Sequence, residues 1–146
     1  LNYKEEAVIR MSNFVGYILD QTADLELNSI LMIGHIGKIV KVAGGIYNTH
    51  SKKADARREI IAAYSALAGA DRSVIKEIFA ANTAEEAANI LLKHNLESVF
   101  DLLAERVTNK VKERLENEIK LSSIIFSMEK GILGSYGLKK DGINYE

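Results

Sequence analysis

The chain has 146 residues, enough for one domain with a hydrophobic core and too few for two. Apolar residues make up 47% and charged residues 27%, which excludes disorder as the main state, and the absence of Cys excludes disulfides, thiolate metal sites and a cysteine nucleophile. With 19 basic and 20 acidic side chains the net charge is -1, which argues against nucleic acid or an anionic membrane as partner.

The chain opens on Leu1 rather than Met, in a polar stretch to Glu6 with no signal-peptide pattern, which points to a cytoplasmic protein that is processed, trimmed or part of something longer. Residues 4–24 carry Ala7, Val8, Met11, Phe14, Val15, Ile18 and Leu19 at helical spacing and predict a helix. Ile30-Leu31-Met32-Ile33 is a continuous apolar run ended by Gly34, the pattern of a strand covered on both faces. Helices are expected over 53–69, from Asp71, from Thr83 to about His94, and from Asn95 to about Leu115. Thr83 and Glu86 have the spacing of a capping box. The stretch 121–128 (LSSIIFSM) is rich in strand formers, and Gly131 can turn it into a short partner at Ile132-Leu133, after which the chain is expected to be loose beyond Gly134. The expected fold is helix-rich α/β: one domain over 1–146 with a partial, open, mainly parallel sheet. Two clear strands beside about six helices leave that sheet incomplete, so a missing N-terminal half or a second copy of the chain is expected to finish it.

The chemistry concentrates between Gly34 and Glu59. Gly34 and Gly37 follow the first strand and permit a sharp turn and close approach to a ligand. A helix starting near Lys38 would aim its first amides at the crevice beyond the strand, where open parallel sheets bind ligands. Gly44 and Gly45 end that helix; Asn48, Thr49, His50 and Ser51 form a polar loop, and Ser51 is placed to cap a helix from Lys52. Residues 34–58 hold six basic side chains (Lys38, Lys41, Lys52, Lys53, Arg57 and Arg58) against one acid, Asp55, so the local charge is +5 in a chain of net -1. Such asymmetry suits a polyanionic ligand. Lys52 and Lys53 alone read as a solvated face, and Asp55 and Arg57 can simply pair with each other. His35 and His50 fit either a general acid–base role or a hydrogen-bonded structural one. The sequence leaves both open at His50 and leans to function at His35. His94, near a helix C-terminus, reads as a dipole partner. No HExxH spacing occurs, and no protein-bound metal is expected. Walker A, GxSxG and GxGxxG patterns are all unmet.

The run GHIGKIVKVAGGIYNTHSKKADAR resembles the signature of the CbiD family, the cobalt-precorrin-5B methyltransferases of anaerobic cobalamin biosynthesis. Met11 to Gly16, Ile60 to Ala70, Ile125 to Ser127 and Gly131 to Gly134 extend the resemblance over most of the chain. The resemblance implies S-adenosylmethionine-dependent methyl transfer to ring carbon 1 of a cobalt-bound contracted tetrapyrrole ringed by acetate and propionate carboxylates. It also implies a protein roughly twice this long, whose N-terminal half lies outside the sequence. On this reading Lys38, Lys41, Arg57 and Arg58 anchor carboxylates. Gly34, Gly37, Gly44 and Gly45 shape the crevice, Asn48, Thr49 and Ser51 offer neutral hydrogen bonds, and His35 or His50 handles a proton. A non-catalytic anion- or nucleotide-binding α/β module using the same crevice is the competing expectation.

Overall fold

The structure is a computed structural model and describes residues 4–22, 24–116 and 119–138. After a short 3-10 turn (Glu5–Ala7) come α1 (Val15–Thr22), β1 (Ser29–His35), α2 (Ile36–Ala43), α3 (Arg57–Leu67), α4 (Arg72–Ala80), α5 (Ala84–Lys93), α6 (Ser98–Leu115), β2 (Lys120–Ser127) and β3 (Gly131–Tyr136). The strands form one sheet in the order β1-β2-β3. β1 and β2 run parallel, with Ser29 opposite Lys120 and His35 opposite Phe126. β2 and β3 run antiparallel, with a register shift between Ile125 and Phe126. The sheet is therefore mixed: one of its two pairings is parallel.

Alternation along the strands decides what faces the helices. Met32, Leu121 and Ile125 are buried in the main core with Val99, Phe100, Leu103, Val107 and Val111 of α6 and with most of α2. α6 lies so close to β3 that a Cβ on Gly134 would fall 2.6 Å from the carbonyl carbon and the Cβ of Phe100. Ser123 on the same face of β2 donates to Ala104 O (2.6 Å) and meets the Thr108 hydroxyl (3.0 Å), so the buried polar groups beneath α6 are satisfied. The opposite face carries Leu31, Ile33, Ile124, Phe126 and Ile132.

Strand existence and the six α-helices agree with the sequence pattern, but several boundaries move. Residues 8–13 are not helical, and the chain at 13–16 pairs with the 47–49 stretch. Gly16 N donates to Tyr47 O (3.2 Å), Thr49 N donates to Asn13 O (3.0 Å), and Phe14 bridges Asn48. Ser12 at φ 48 makes the break. The helix expected from Lys52 begins at Arg57, so Ser51 caps nothing there; residues 51–53 form a turn, with Lys53 N on His50 O (2.9 Å). Asn95, expected to start a helix, has φ 54 and closes α5 instead. β3 runs two residues past Gly134; residues 139–146 of the expected loose tail lie outside the described residues.

Candidate functional site

The carboxyl ends of β1 and β2 meet at one carboxylate. His35 ends β1 and is the N-cap of α2: its Nδ1 accepts from Gly37 N at 3.1 Å. With Nδ1 acting as acceptor, the neutral ring carries its proton on Nε2, which donates to Glu85 Oε1 at 2.7 Å. Glu85, in the first turn of α5, also accepts from the Ser127 hydroxyl (2.6 Å, to Oε2) and from Met128 N (3.1 Å) at the end of β2. Partial burial works to raise the Glu85 carboxyl, but the hydrogen bonds from Ser127, His35 and the Met128 amide outweigh it and hold the group below its ordinary 4.5. Phe126 sets its ring edge-on to His35, with centroids 5.7 Å apart. The imidazole is thus fixed on both nitrogens, and the Gly37 amide, expected to be open to an anion, is already capped.

A cleft of ≈ 920 Å³ opens beside His35. One wall is the N-terminal segment 4–12; the other is β1 and the first turns of α2, and Thr49 and Phe126 complete the lining. Most of the lining is apolar, including Val8, Ile9, Met11, Leu31, Ile33 and Ile39. Among the described residues its charged side chains are Lys4, Arg10 and Lys38, and no carboxylate lines it. An apolar trough rimmed by cations suits a flat, greasy ligand with acidic substituents. Lys4 and Arg10 were not singled out by sequence, because the segment was read as one face of a long helix. The signal available was two basic residues flanking the Val8-Ile9 pair.

Of the expected site residues, the cleft gathers Gly34, His35, Lys38 and Thr49. Gly34 serves packing, since a Cβ there would fall 2.6 Å from the Ile39 Cβ; a Cβ on Gly37 would sit 3.1 Å from His35 Nδ1. Lys41 lies elsewhere. It is 1% exposed, and its Nζ donates to Thr49 O (3.1 Å) and Ala54 O (2.9 Å). Its burial lowers the ammonium pKa, and the two carbonyls are what an enclosed cation needs. Lys41 therefore staples the 49–54 loop to α2. Gly44 and Gly45 end α2; Gly45 takes φ +77, and a Cβ on Gly44 would strike Ile60 Cδ1. Asn48 Oδ1 accepts from His50 N (3.2 Å), and His50, which is exposed, accepts from Lys52 N through Nδ1 (3.1 Å). Ser51 is exposed in the same turn. Asp55 is chelated by Arg57, whose hydrogen bonds draw its carboxyl down to about 2, and Arg58 donates to Phe79 O (3.0 Å). These three line a second hollow of ≈ 230 Å³ with Asn82, Thr83 and Ala84. The six basic side chains of the signature thus do not share one hollow. Among the described residues no group of three His, Asp or Glu side chains is placed to hold a metal ion, and no helix is long and apolar enough to cross a membrane.

Comparison with known proteins bears on the same stretch. Residues 48–137 match the family model described as CbiD, C-terminal domain. Three relatives carry the name cobalt-precorrin-5B C(1)-methyltransferase. The one from Alkaliphilus metalliredigens is 46% identical over 129 residues, covering 88% of this chain and 34% of its own. The one from Methanocaldococcus jannaschii is 47% identical over 137 residues (93% and 38%), and that from Methanococcus aeolicus 47% over 133 residues (90% and 35%). This chain therefore spans about a third of the length of these curated relatives. No solved structure matches it. The family match covers well over half of the sequence and includes the end of the glycine-rich signature, so the chain belongs to the CbiD family through its C-terminal domain.

Proposed function

We propose that this chain is the C-terminal portion of a cytoplasmic methyltransferase that acts on carbon 1 of cobalt-precorrin-5B, and that the cleft beside β1 receives the acidic macrocycle. The observation that carries this reading is the lining of the cleft: apolar walls with Lys4, Arg10 and Lys38 and, among the described residues, no acid. A contracted tetrapyrrole offers the complementary pattern, an apolar ring with carboxylates around it. Charge-assisted hydrogen bonds contribute roughly 1.5–3 kcal/mol each, so three of them would both hold and orient the ring. Orientation is the main protein contribution to methyl transfer, since the step is an in-line displacement that gains most from a fixed geometry.

The methyl donor, S-adenosylmethionine, is a sulfonium cation. Among the described residues the cleft has no carboxylate to meet that charge or the ribose hydroxyls, so those residues do not fit the donor. The donor site is assigned to the remainder of the longer enzyme. His35 is the histidine at the site, and it acts as a positioning residue: it caps α2 and so fixes where Lys38 stands. His50, in an exposed turn, takes no part on this reading. Lys41, Arg57, Arg58, Asp55 and the Gly44-Gly45 pair support the loop and helices behind the cleft.

Calorimetric titration tests the reading. A cobalt corrinoid with free acetate and propionate groups should bind this chain, with affinity that falls as salt rises and about tenfold or more on Lys38→Ala. S-adenosylhomocysteine should bind only the full-length relative. Corrinoid binding that is indifferent to Lys38→Ala and to salt would overturn the assignment of the cleft.

A further inference from the structure

β1 lies at the edge of the sheet among the described residues, yet nothing about it is built like an edge. Natural edge strands are blunted by charge, proline, bulges or a covering element, because an open row of amides and carbonyls invites pairing. β3, the other edge, shows two such devices: its register with β2 slips at Ile125/Phe126, and its Ser135 amide is taken by Asp101 Oδ1 of α6 at 2.8 Å. β1 (SILMIGH) has no charged residue and no proline, and its pairing with β2 is regular over all seven residues. Its apolar residues point to both faces, as in a strand with neighbours on each side. Ile33, on the face away from the helices, is 43% exposed, and Val8 and Ile9 across the cleft are 54% and 58% exposed.

We infer that β1 is an inner strand of the full-length protein, and that its open edge is occupied by an extended segment from the portion preceding this domain. Relatives of this chain carry about two thirds of their length outside the match, and the matching family model is named for a C-terminal domain, which places that length before it. The inference rests on the reading of the chain as part of a longer methyltransferase, and it deepens that reading. The incoming strand takes only the length of the cleft along Ser29 to Ile33, and the macrocycle of the proposed function occupies the remainder, beside Gly34, His35, Lys38 and Phe126. The carboxyl end of β1, with Gly34, His35 and Lys38, then becomes a crevice between two neighbouring strands, where open α/β sheets bind their ligands. The substrate would sit at a seam between the two portions, closed on one side by this domain and on the other by the rest of the chain.

Amide hydrogen exchange decides it. Exchange in residues 29–35 is compared with that in β2, for this chain alone and for the full-length Methanocaldococcus jannaschii relative. The expected result is that the outward amides of β1 exchange fast in the isolated chain and roughly 100-fold more slowly, relative to β2, in the full-length protein. A second measurement uses Ile33→Lys. In this chain it should leave the circular dichroism and melting temperature unchanged. The matching change in the relative should return β1 exchange toward the isolated rate. Equal β1 protection in the two proteins would overturn the inference. So would protection in the isolated chain that accompanies a dimer in solution, which would assign the edge to a second copy. Neither readout involves a corrinoid or methyl transfer, so a failure of the cleft assignment and a failure of the strand assignment are told apart.

Discussion

Glu85 shows how much a single side chain can organise. Its carboxylate receives His35, Ser127 and the Met128 amide, and so ties the start of α5 to the ends of both parallel strands. Glu85→Gln keeps the shape but replaces one acceptor oxygen by an NH2 that faces a donor. The expected cost is about 1–3 kcal/mol at neutral pH, read by urea denaturation. The pH dependence has a definite sign. The folded carboxyl lies below its ordinary 4.5, so its stabilisation is complete above that value and is lost as pH falls below it and through the lowered folded value. The gap in melting temperature between wild type and Glu85→Gln should therefore shrink on acidification from about pH 7 to about pH 3; a gap that stays constant would contradict the assignment. None of this was legible in the sequence, since the partners stand 42, 43 and 50 residues from Glu85 and fall into no local pattern. Its neighbour was legible: the Thr83 hydroxyl does accept from Glu86 N at 3.0 Å, although the Glu86 carboxylate turns to Asn82 N (2.8 Å) rather than to Thr83. Lys41 was misleading because a lysine in so basic a signature reads as an anchor for a ligand's carboxylates, and only the path of the 49–54 loop reveals the two carbonyls that let it be buried.

Among elements, the strands and the long helix follow from local composition, and the errors cluster where a segment finds a distant partner. The apolar run at 30–33 extends to a seven-residue strand, and the stripe Val99, Leu103, Val107, Val111 and Leu115 is the buried face of α6. Residues 8–13 keep helical spacing but are not helical: Ser12 takes a positive φ, and Asn13 to Gly16 bond to the 47–49 stretch, tertiary contacts that override the weak preference of a short helix. His35 capping α2 was hidden because Asp, Asn, Ser and Thr are the usual caps. Packing between elements supplies the most direct test at this scale. Gly134 lets β3 press against the start of α6, and Gly134→Ala places a methyl group 2.6 Å from Phe100 backbone. The strand or the helix must shift, at a cost of about 1–3 kcal/mol. A melting temperature equal to wild type would show that the contact is looser than the structure has it.

Across the molecule, the charge pattern read from sequence survives in part. The signature is strongly basic, but folding sorts its cations into a cleft rim, a buried staple and a second hollow lined by Arg57 and Arg58. Sequence adjacency could not show this: Lys38 lines the cleft, while Lys41, three residues on, is buried against the 49–54 loop. The N-terminal segment supplies the other cations of the cleft, so the site is made by two stretches that only the fold brings together. The parallel register has a kinetic consequence as well. Ser29 meets Lys120, so the β1–β2 ladder cannot close until the intervening helices have gathered, and that long closure makes it the slow event of refolding. With no proline in the chain, isomerisation cannot contribute a slow phase. Stopped-flow refolding should show helical signal returning first and the final phase unchanged by added prolyl isomerase. Its rate would measure how long two strands from opposite ends of the domain take to find each other.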